Sequence, residues 1–222
     1  MKNVVHFQTG DDELDRYLGE EGLSSDEVIE VCGSSASGKT YFCLKLAALA
    51  MLESGANAHA TASNIACLYV DTTNYVNGGN VGLVLRNFMS QCSADEKQQR
   101  VQEVLQHRFK IQKCHNLEKL LVLLSHLVSL LKAKKLKMNL RLIVIDSLSS
   151  LFSGLAPKNQ SSIAQQKELL HLFKILTKKY FIGIVYTNNT KDAHITRVSE
   201  LRNLVGEPIS SWAVDKQIYA TQ

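Results

Sequence analysis

The chain is poor in the residues that interrupt regular structure and in the patterns that bind metals. Only two prolines, Pro157 and Pro208, and one tryptophan occur among its 222 residues. Because no proline-rich linker, repeat or low-complexity segment divides the chain, we expect residues 1–222 to form a single domain. The five cysteines make no C-x-x-C pair and no Cys/His metal spacing. Their apolar neighbours therefore predict buried thiols in a reducing compartment.

Long apolar segments are also missing. The longest, residues 117–131, contains Glu118, Lys119 and His126 and is shorter than the roughly 20 residues that a membrane-spanning helix needs. The first six residues lack the apolar region of a secretory signal. The net charge of +4 is compatible with nucleic-acid binding but too small to indicate it alone. These absences predict a soluble intracellular protein with no membrane partner.

Residues 33–40, by contrast, carry a pattern that binds phosphate groups. They read G-x-x-x-x-G-K-T and lie between an apolar run at 28–32 and a helical pattern at 39–51. Glycines and small side chains let main-chain N–H groups converge on an anion at a helix N-terminus. The Lys39 ammonium can reach the β- and γ-phosphates of a nucleotide, and the Thr40 hydroxyl can bind Mg²⁺. The residues expected to bind nucleotide are Gly33, Ser34, Ser35, Ala36, Ser37, Gly38, Lys39 and Thr40. A Gly/Ser turn that binds nothing is the alternative interpretation.

Strand and helix patterns alternate along the chain. Continuous apolar runs predict buried strands at 28–32, 65–71, 109–111, 142–146, 181–186 and 217–220. Helical spacing predicts helices at 39–51, 81–92, 93–107, 116–135 and 161–179, with caps at Ser93 and Asn116. This alternation predicts an α/β P-loop fold, in which a mostly parallel sheet has helices on both faces.

Polar residues follow three of the predicted strands, at the edge of a parallel sheet where ligands bind. Asp146 ends an apolar strand in the Walker B manner, so we expect it to serve Mg²⁺, with an N-cap role as the alternative. Asn188 and Asn189 follow the strand at 181–186, where an amide can sense the γ-phosphate, although a simple turn would also explain them. Asp71 ends a further strand, a natural place for a residue that positions water. No N-K-x-D motif has the spacing of a guanine site, so ATP is preferred over GTP.

The order of these motifs resembles the RecA-type recombinase core, and especially the eukaryotic Rad51 paralogues of the D type. The resemblance covers residues from about 7 to 219 and rests on the segments 26–33, 33–40, 41–47, 68–72, 143–147 and 185–188. It implies a RecA-like core that binds ATP with Mg²⁺ and acts in homologous-recombination DNA repair in the nucleus. The implied partners are related paralogue subunits, the main recombinase and, through the complex, single-stranded DNA.

The sequence departs from that family at a position that matters for hydrolysis. The family usually has a glutamate two residues after the aspartate that ends its second core strand, and here that position is Thr73. A hydroxyl is not a general base near neutral pH, so we expect at most a weak, DNA-stimulated ATPase. Ala36 stands where the loop of the family often has glycine. We also expect no separate N-terminal DNA-binding domain and no autonomous filament, because the family's helical domain and its Phe-x-x-Ala linker are not found.

Two segments, 152–162 and 189–206, correspond to the DNA loops of the family. Their candidate DNA contacts are Lys158, Lys191, Arg197 and Arg202, with ordinary solvated loop charges as the alternative. Two other functions stay open. The chain could be a scaffold subunit whose nucleotide site is structural or vestigial, or a P-loop kinase of a small metabolite, although no arginine-rich lid is found.

Overall fold

The structure is a computed structural model that describes residues 4–19, 21–53, 64–89, 92–152, 160–189 and 215–220. Strands and helices alternate through most of it. In chain order they are β1 (His6–Phe7), α1 (Asp12–Leu18), β2 (Leu23–Ser24), β3 (Val28–Gly33), α2 (Lys39–Glu53), β4 (Ile65–Asp71), α3 (Gly78–Asn87), α4 (Ala94–Glu103), β5 (Phe109–Lys113), α5 (Leu117–Lys132), β6 (Asn139–Asp146), α6 (Leu148–Phe152), α7 (Gln160–Lys174), β7 (Gly183–Asn189) and β8 (Lys216–Ala220). Single π-helical turns extend α4 to Arg108 and α7 to Lys179.

Within the described residues, six strands form one parallel sheet in the order β5-β4-β6-β7-β3-β8. Strands β3, β4, β6 and β7 are buried along nearly their whole length. Such strands need cover on both faces, which explains why their sequences are continuous apolar runs instead of alternating ones. The carboxyl ends of β3, β4, β6 and β7 meet at one edge of the sheet, and this edge carries the candidate site.

Two hydrophobic layers cover the faces of the sheet. On one face, helices α2, α3 and α4 contribute residues such as Leu46, Leu85 and Val101. On the other face, α5 and α7 contribute residues such as Leu124 and Phe173. The α/β architecture that the sequence predicts is therefore confirmed.

Capping residues fix where several helices begin. Ser93 and Glu96 form the predicted capping box of α4, and Asn116 accepts the Lys119 N–H to cap α5 as predicted. The predicted helix 81–92 is wrong at both ends, because Asn77 caps a helix that starts at Gly78 and that helix ends at Asn87. The sequence does not predict the short antiparallel pair of β1 and β2 or the helix α1 between them, since each element is too short to give a periodic signal.

Two further expectations concern cysteines and membranes. Four of the five cysteines are buried as free thiols, and Cys92 is half-buried. None of the helices in the described part of the chain is both long enough and apolar enough to cross a bilayer.

Candidate nucleotide site

The loop between β3 and α2 has the backbone geometry that a phosphate-binding turn requires. Gly33 ends β3 in a crowded place, since a Cβ there would lie 2.5 Å from Ser37 Oγ and 2.6 Å from the Ala220 carbonyl oxygen. Gly38 precedes α2 with φ +86°, a left-handed conformation that favours glycine. The fold thus favours glycine at both positions of the motif, at Gly33 because of space and at Gly38 because of its backbone dihedral angle.

Ala36 also adopts a left-handed conformation, with φ +64°. This is the position at which the RecA-type recombinases that the sequence resembles often have glycine. An alanine in this conformation costs about 1–2 kcal/mol because its Cβ approaches a carbonyl oxygen. The loop therefore keeps the shape of a glycine-containing loop although one glycine has been replaced.

Lys39 lies inside the curve of this loop and is only 7% exposed. Its Nζ donates to the carbonyl oxygens of Gly33, at 2.9 Å, and Ser34, at 2.6 Å. Burial lowers the pKa of the Lys39 ammonium, while the nearby charge of Asp146 acts in the opposite direction. A buried ammonium held by neutral carbonyls is ready to be stabilised by an anion, because a phosphate would supply the opposite charge that the loop lacks.

The start of α2 supplies further donors for an anion. The first N–H groups of a helix have no partner within it, and Gly38 has no side chain with which to cap them. The N-terminus of this 15-residue helix also carries the positive end of the helix dipole. Together with the Lys39 ammonium, these N–H groups form a donor set that fits the β- and γ-phosphates of a nucleotide.

Asp146, at the end of β6, accepts three hydroxyl groups. Thr40 Oγ1 donates to its Oδ2 at 2.6 Å, the Tyr69 hydroxyl donates to the same oxygen at 2.9 Å, and Thr187 Oγ1 donates to Oδ1 at 2.5 Å. Thr40 gives its hydrogen to Asp146, so the lone pairs of its oxygen stay available for a cation. A hydroxyl oxygen and a nearby carboxylate are the hard ligands that Mg²⁺ prefers, and the pair thus fits this ion.

Asp71, at the end of β4, organises a turn. Its Oδ1 accepts the Thr73 N–H at 2.9 Å and the Thr73 hydroxyl at 3.1 Å, and its Oδ2 accepts the Val76 N–H at 3.0 Å. Thr73, which occupies the position of the usual glutamate, therefore points its hydroxyl back at Asp71. Neither side chain offers a free base for activating water.

The two candidate γ-phosphate sensors, Asn188 and Asn189, differ in their surroundings. Asn188 is buried within β7, and its side-chain amide donates to the carboxylate of Glu30. Asn189, the last residue of β7, is exposed, and its main-chain N–H donates to Ser149 Oγ at 3.3 Å. Only Asn189 has a side chain free to meet a ligand beyond the end of the sheet. The proposed DNA contacts Lys158, Lys191, Arg197 and Arg202 lie outside the described residues.

Sequence reasoning missed three residues of this region, Tyr69, Thr187 and Glu30. Each is a polar residue within an otherwise apolar strand sequence. This interruption of the apolar pattern is the sequence signal that could have indicated them. Their partners lie between 41 and 187 residues away in the chain, so no local pattern identifies them.

Comparison with known proteins identifies the family. The model of the Rad51 family matches residues 1–213. The chain belongs to the Rad51 family. The fold is accordingly the RecA-like P-loop fold that the sequence predicts, and members of this family bind ATP with Mg²⁺.

Two curated relatives of the Rad51 family carry the name DNA repair protein RAD51 homolog 4. The mouse protein is 28% identical over 194 residues, which make up 86% of this chain and 52% of the relative. The bovine protein is 26% identical over 210 residues, or 93% of this chain and 58% of the relative. The chain thus spans little more than half the length of these relatives.

Proposed function

We propose that this Rad51-family chain is an ATP-binding paralogue subunit that assists or regulates the main recombinase on single-stranded DNA. It would act in homologous-recombination repair in the nucleus, as part of a hetero-oligomer. The names of the two relatives support a role in DNA repair and a D-type paralogue identity. DNA contact through Lys158, Lys191, Arg197 and Arg202 is part of the same proposal and rests on the sequence resemblance.

One contrast within the site carries the proposal. The groups that hold nucleotide and cation, Lys39, Thr40 and Asp146, are assembled at one end of the sheet. Thr73, where the related enzymes have their base, is instead bound to Asp71. A site of this kind binds Mg-ATP and turns it over slowly, so nucleotide acts as a clamp on conformation or assembly. Hydrolysis by the isolated protein at about 1 s⁻¹ or faster, a rate within the range of ordinary enzymes, would contradict slow turnover.

The exposed edge of the sheet at β5 supports the proposal that this chain binds a partner subunit. Among the described strands, β5 pairs only with β4, so its other side can accept a strand from another chain. Beside it lies a groove of about 540 Å³ that includes Val122 and Leu123 of α5. Val122 is 65% exposed, unlike the buried leucines on the inner face of the same helix.

The test is affinity capture of the tagged chain from cells, with and without ATP, comparing wild type with Lys39→Ala. We expect ATP to stabilise capture of other recombinase subunits with the wild type only, because Lys39 is the cation inside the loop. Lys45→Ala is the matched control, since it removes a charge from the same helix but from a side chain that donates to Gly10 outside the loop.

The second candidate function is a scaffold subunit whose nucleotide site is structural or vestigial. One observation favours it: the carbonyls of Gly33 and Ser34 accept from Lys39, and Asp146 accepts from Thr40. These two side chains therefore have partners within the chain itself. The scaffold function predicts that Lys39→Ala leaves both capture of partners and repair intact, which separates it from the first proposal.

A further inference from the structure

Glu30 is a buried carboxylate in the strand that leads to the phosphate loop. It is 1% exposed and lies three residues before Gly33 on β3, inside an otherwise apolar run. One carboxylate oxygen accepts the side-chain amide of Asn188 on β7, and the other accepts that of Gln217 on β8. These two strands are the neighbours of β3 in the sheet. A single side chain thus ties the nucleotide strand to both of its neighbours.

Packing alone does not explain a glutamate here. Burial raises the pKa of Glu30, against the lowering effect of its hydrogen bonds to Gln217 and Asn188, so the ionised side chain is costly in this place. An apolar residue of similar size would fill the same space without that cost. What an apolar residue cannot do is accept hydrogen bonds from two different strands and so fix their relative positions.

The end of β7 is held from both of its faces. Thr187 donates to Asp146 on one face, and Asn188 donates to Glu30 on the other. The next residue is Asn189, which pairs in register with Gly33, the first residue of the phosphate loop. The place of Asn189 relative to the loop is therefore set by Asp146, which we expect to serve Mg²⁺, and by Glu30.

We propose that Glu30 is a positioning residue for recognition of the γ-phosphate. By binding Asn188, it holds the end of β7 against β3. The position of Asn189 along the strand is then fixed relative to the phosphate loop. Glu30 touches no phosphate itself and acts through the strand. This inference rests on the proposed function, because it requires that the loop binds ATP.

The decisive measurement is the ratio of the dissociation constants of the full-length chain for ADP and for a non-hydrolysable ATP analogue. A hydrogen bond to a charged group changes affinity by a factor of about ten or more, so we expect the wild type to prefer the ATP analogue by about that factor. Glu30→Met keeps the approximate size but removes both acceptors, so its ratio should fall to about one while its ADP affinity changes little.

Two further variants separate positioning from charge and from packing. In Glu30→Gln, the amide can still accept from Gln217. It can also donate to Asn188 Oδ1, which has no partner among the described residues, once the Asn188 amide turns over by 180°. This conservative variant should therefore keep most of the preference for the ATP analogue. Tyr186→Phe is the matched control, because the Tyr186 hydroxyl is buried beside Glu30 and also has no partner there. Its ratio should equal that of the wild type.

Each outcome bears on one claim. The role of Glu30 is overturned if Glu30→Met keeps the wild-type ratio, if it weakens both nucleotides equally, or if Glu30→Gln fails as badly as Glu30→Met. Should Glu30→Met not fold, Asn188→Leu breaks the same link from β7 and must also lose the preference. A wild type that binds no nucleotide overturns the proposed function itself, whereas one that binds both nucleotides equally overturns the sensing role.

Discussion

Replacing Ala36 by glycine should stabilise the protein, although glycine usually weakens a fold. Ala36 is exposed and has φ +64°, so its Cβ buries little surface and raises the energy of the loop. Relief of the left-handed conformation should raise the free energy of unfolding by about 1–2 kcal/mol. The greater freedom of glycine in the unfolded chain should lower it by about 0.4–1 kcal/mol. The net gain is about 0–1.6 kcal/mol, and its midpoint of about 0.8 kcal/mol should raise the Tm of a chain of this size by about 2–3 °C.

Two neighbouring variants provide controls for the effect of Ala36→Gly. Gly38→Ala is the inverse change, at φ +86° and with open space around the new Cβ. The same two terms then act with opposite sign, so it should lower Tm by about 2–3 °C through the backbone alone. Ser35→Gly changes an exposed residue next to Ala36 that is not left-handed, and should lower Tm slightly. Thermal unfolding followed by circular dichroism, without nucleotide, measures all three. A lower Tm for Ala36→Gly than for wild type would refute the left-handed conformation of residue 36.

Two further predictions concern a missing base and a buried carboxyl. Thr73→Glu should raise the kcat of ATP hydrolysis by about tenfold or more. This is less than the roughly 100-fold effect of a well-positioned general base, because Asp71 would repel a carboxylate at residue 73. Thr73→Gln, of the same size but not basic, should not raise kcat, and equal rates for the two variants would contradict the prediction. The pKa of Glu30 is raised in the folded state, so its contribution to stability is full below its ordinary value near 4.5 and is lost as pH rises. The loss of unfolding free energy that Glu30→Gln causes, measured in urea, should therefore be larger at pH 4.5 than at pH 7.5. A loss that grows with pH would contradict this prediction.

The order of strands and helices could be predicted from sequence because each carries a local signal. Strand β6 contains the unbroken apolar run 142–145, and Ser93 and Asn116 cap helices through bonds that span only three residues. The phosphate loop is likewise one continuous motif. Its turn and its helix N-terminus follow from the residue types alone.

The contacts among the strands at the site could not be predicted in the same way. Tyr69 and Thr187 reach Asp146 from neighbouring strands that are 77 and 41 residues away in the chain. Whether Asn188 or Asn189 faces a ligand depends on which face of β7 each side chain occupies, and a one-residue shift in register would exchange them. The pairing of Gly33 with Asn189 places Asn189 beside the phosphate loop. Such pairing between strands depends on the whole sheet and cannot be predicted from either segment alone.

Under the proposed function, the two aspartates that end β4 and β6 would account for a site that binds Mg-ATP but hydrolyses it slowly. The Asp146 carboxylate accepts three side-chain hydroxyls, and one of these, Thr40, leaves its oxygen available for a cation. The Asp71 carboxylate accepts three hydrogen bonds from the turn that follows it, and Thr73 closes that turn. A glutamate at residue 73 could not make the hydroxyl bond to Asp71 and would be repelled by its charge, so it would project away from the turn. Threonine at residue 73 thus offers no carboxylate and, through its bond to Asp71, closes the turn. Under the proposed function, fast hydrolysis would require a base from outside this turn, such as one supplied by a neighbouring subunit.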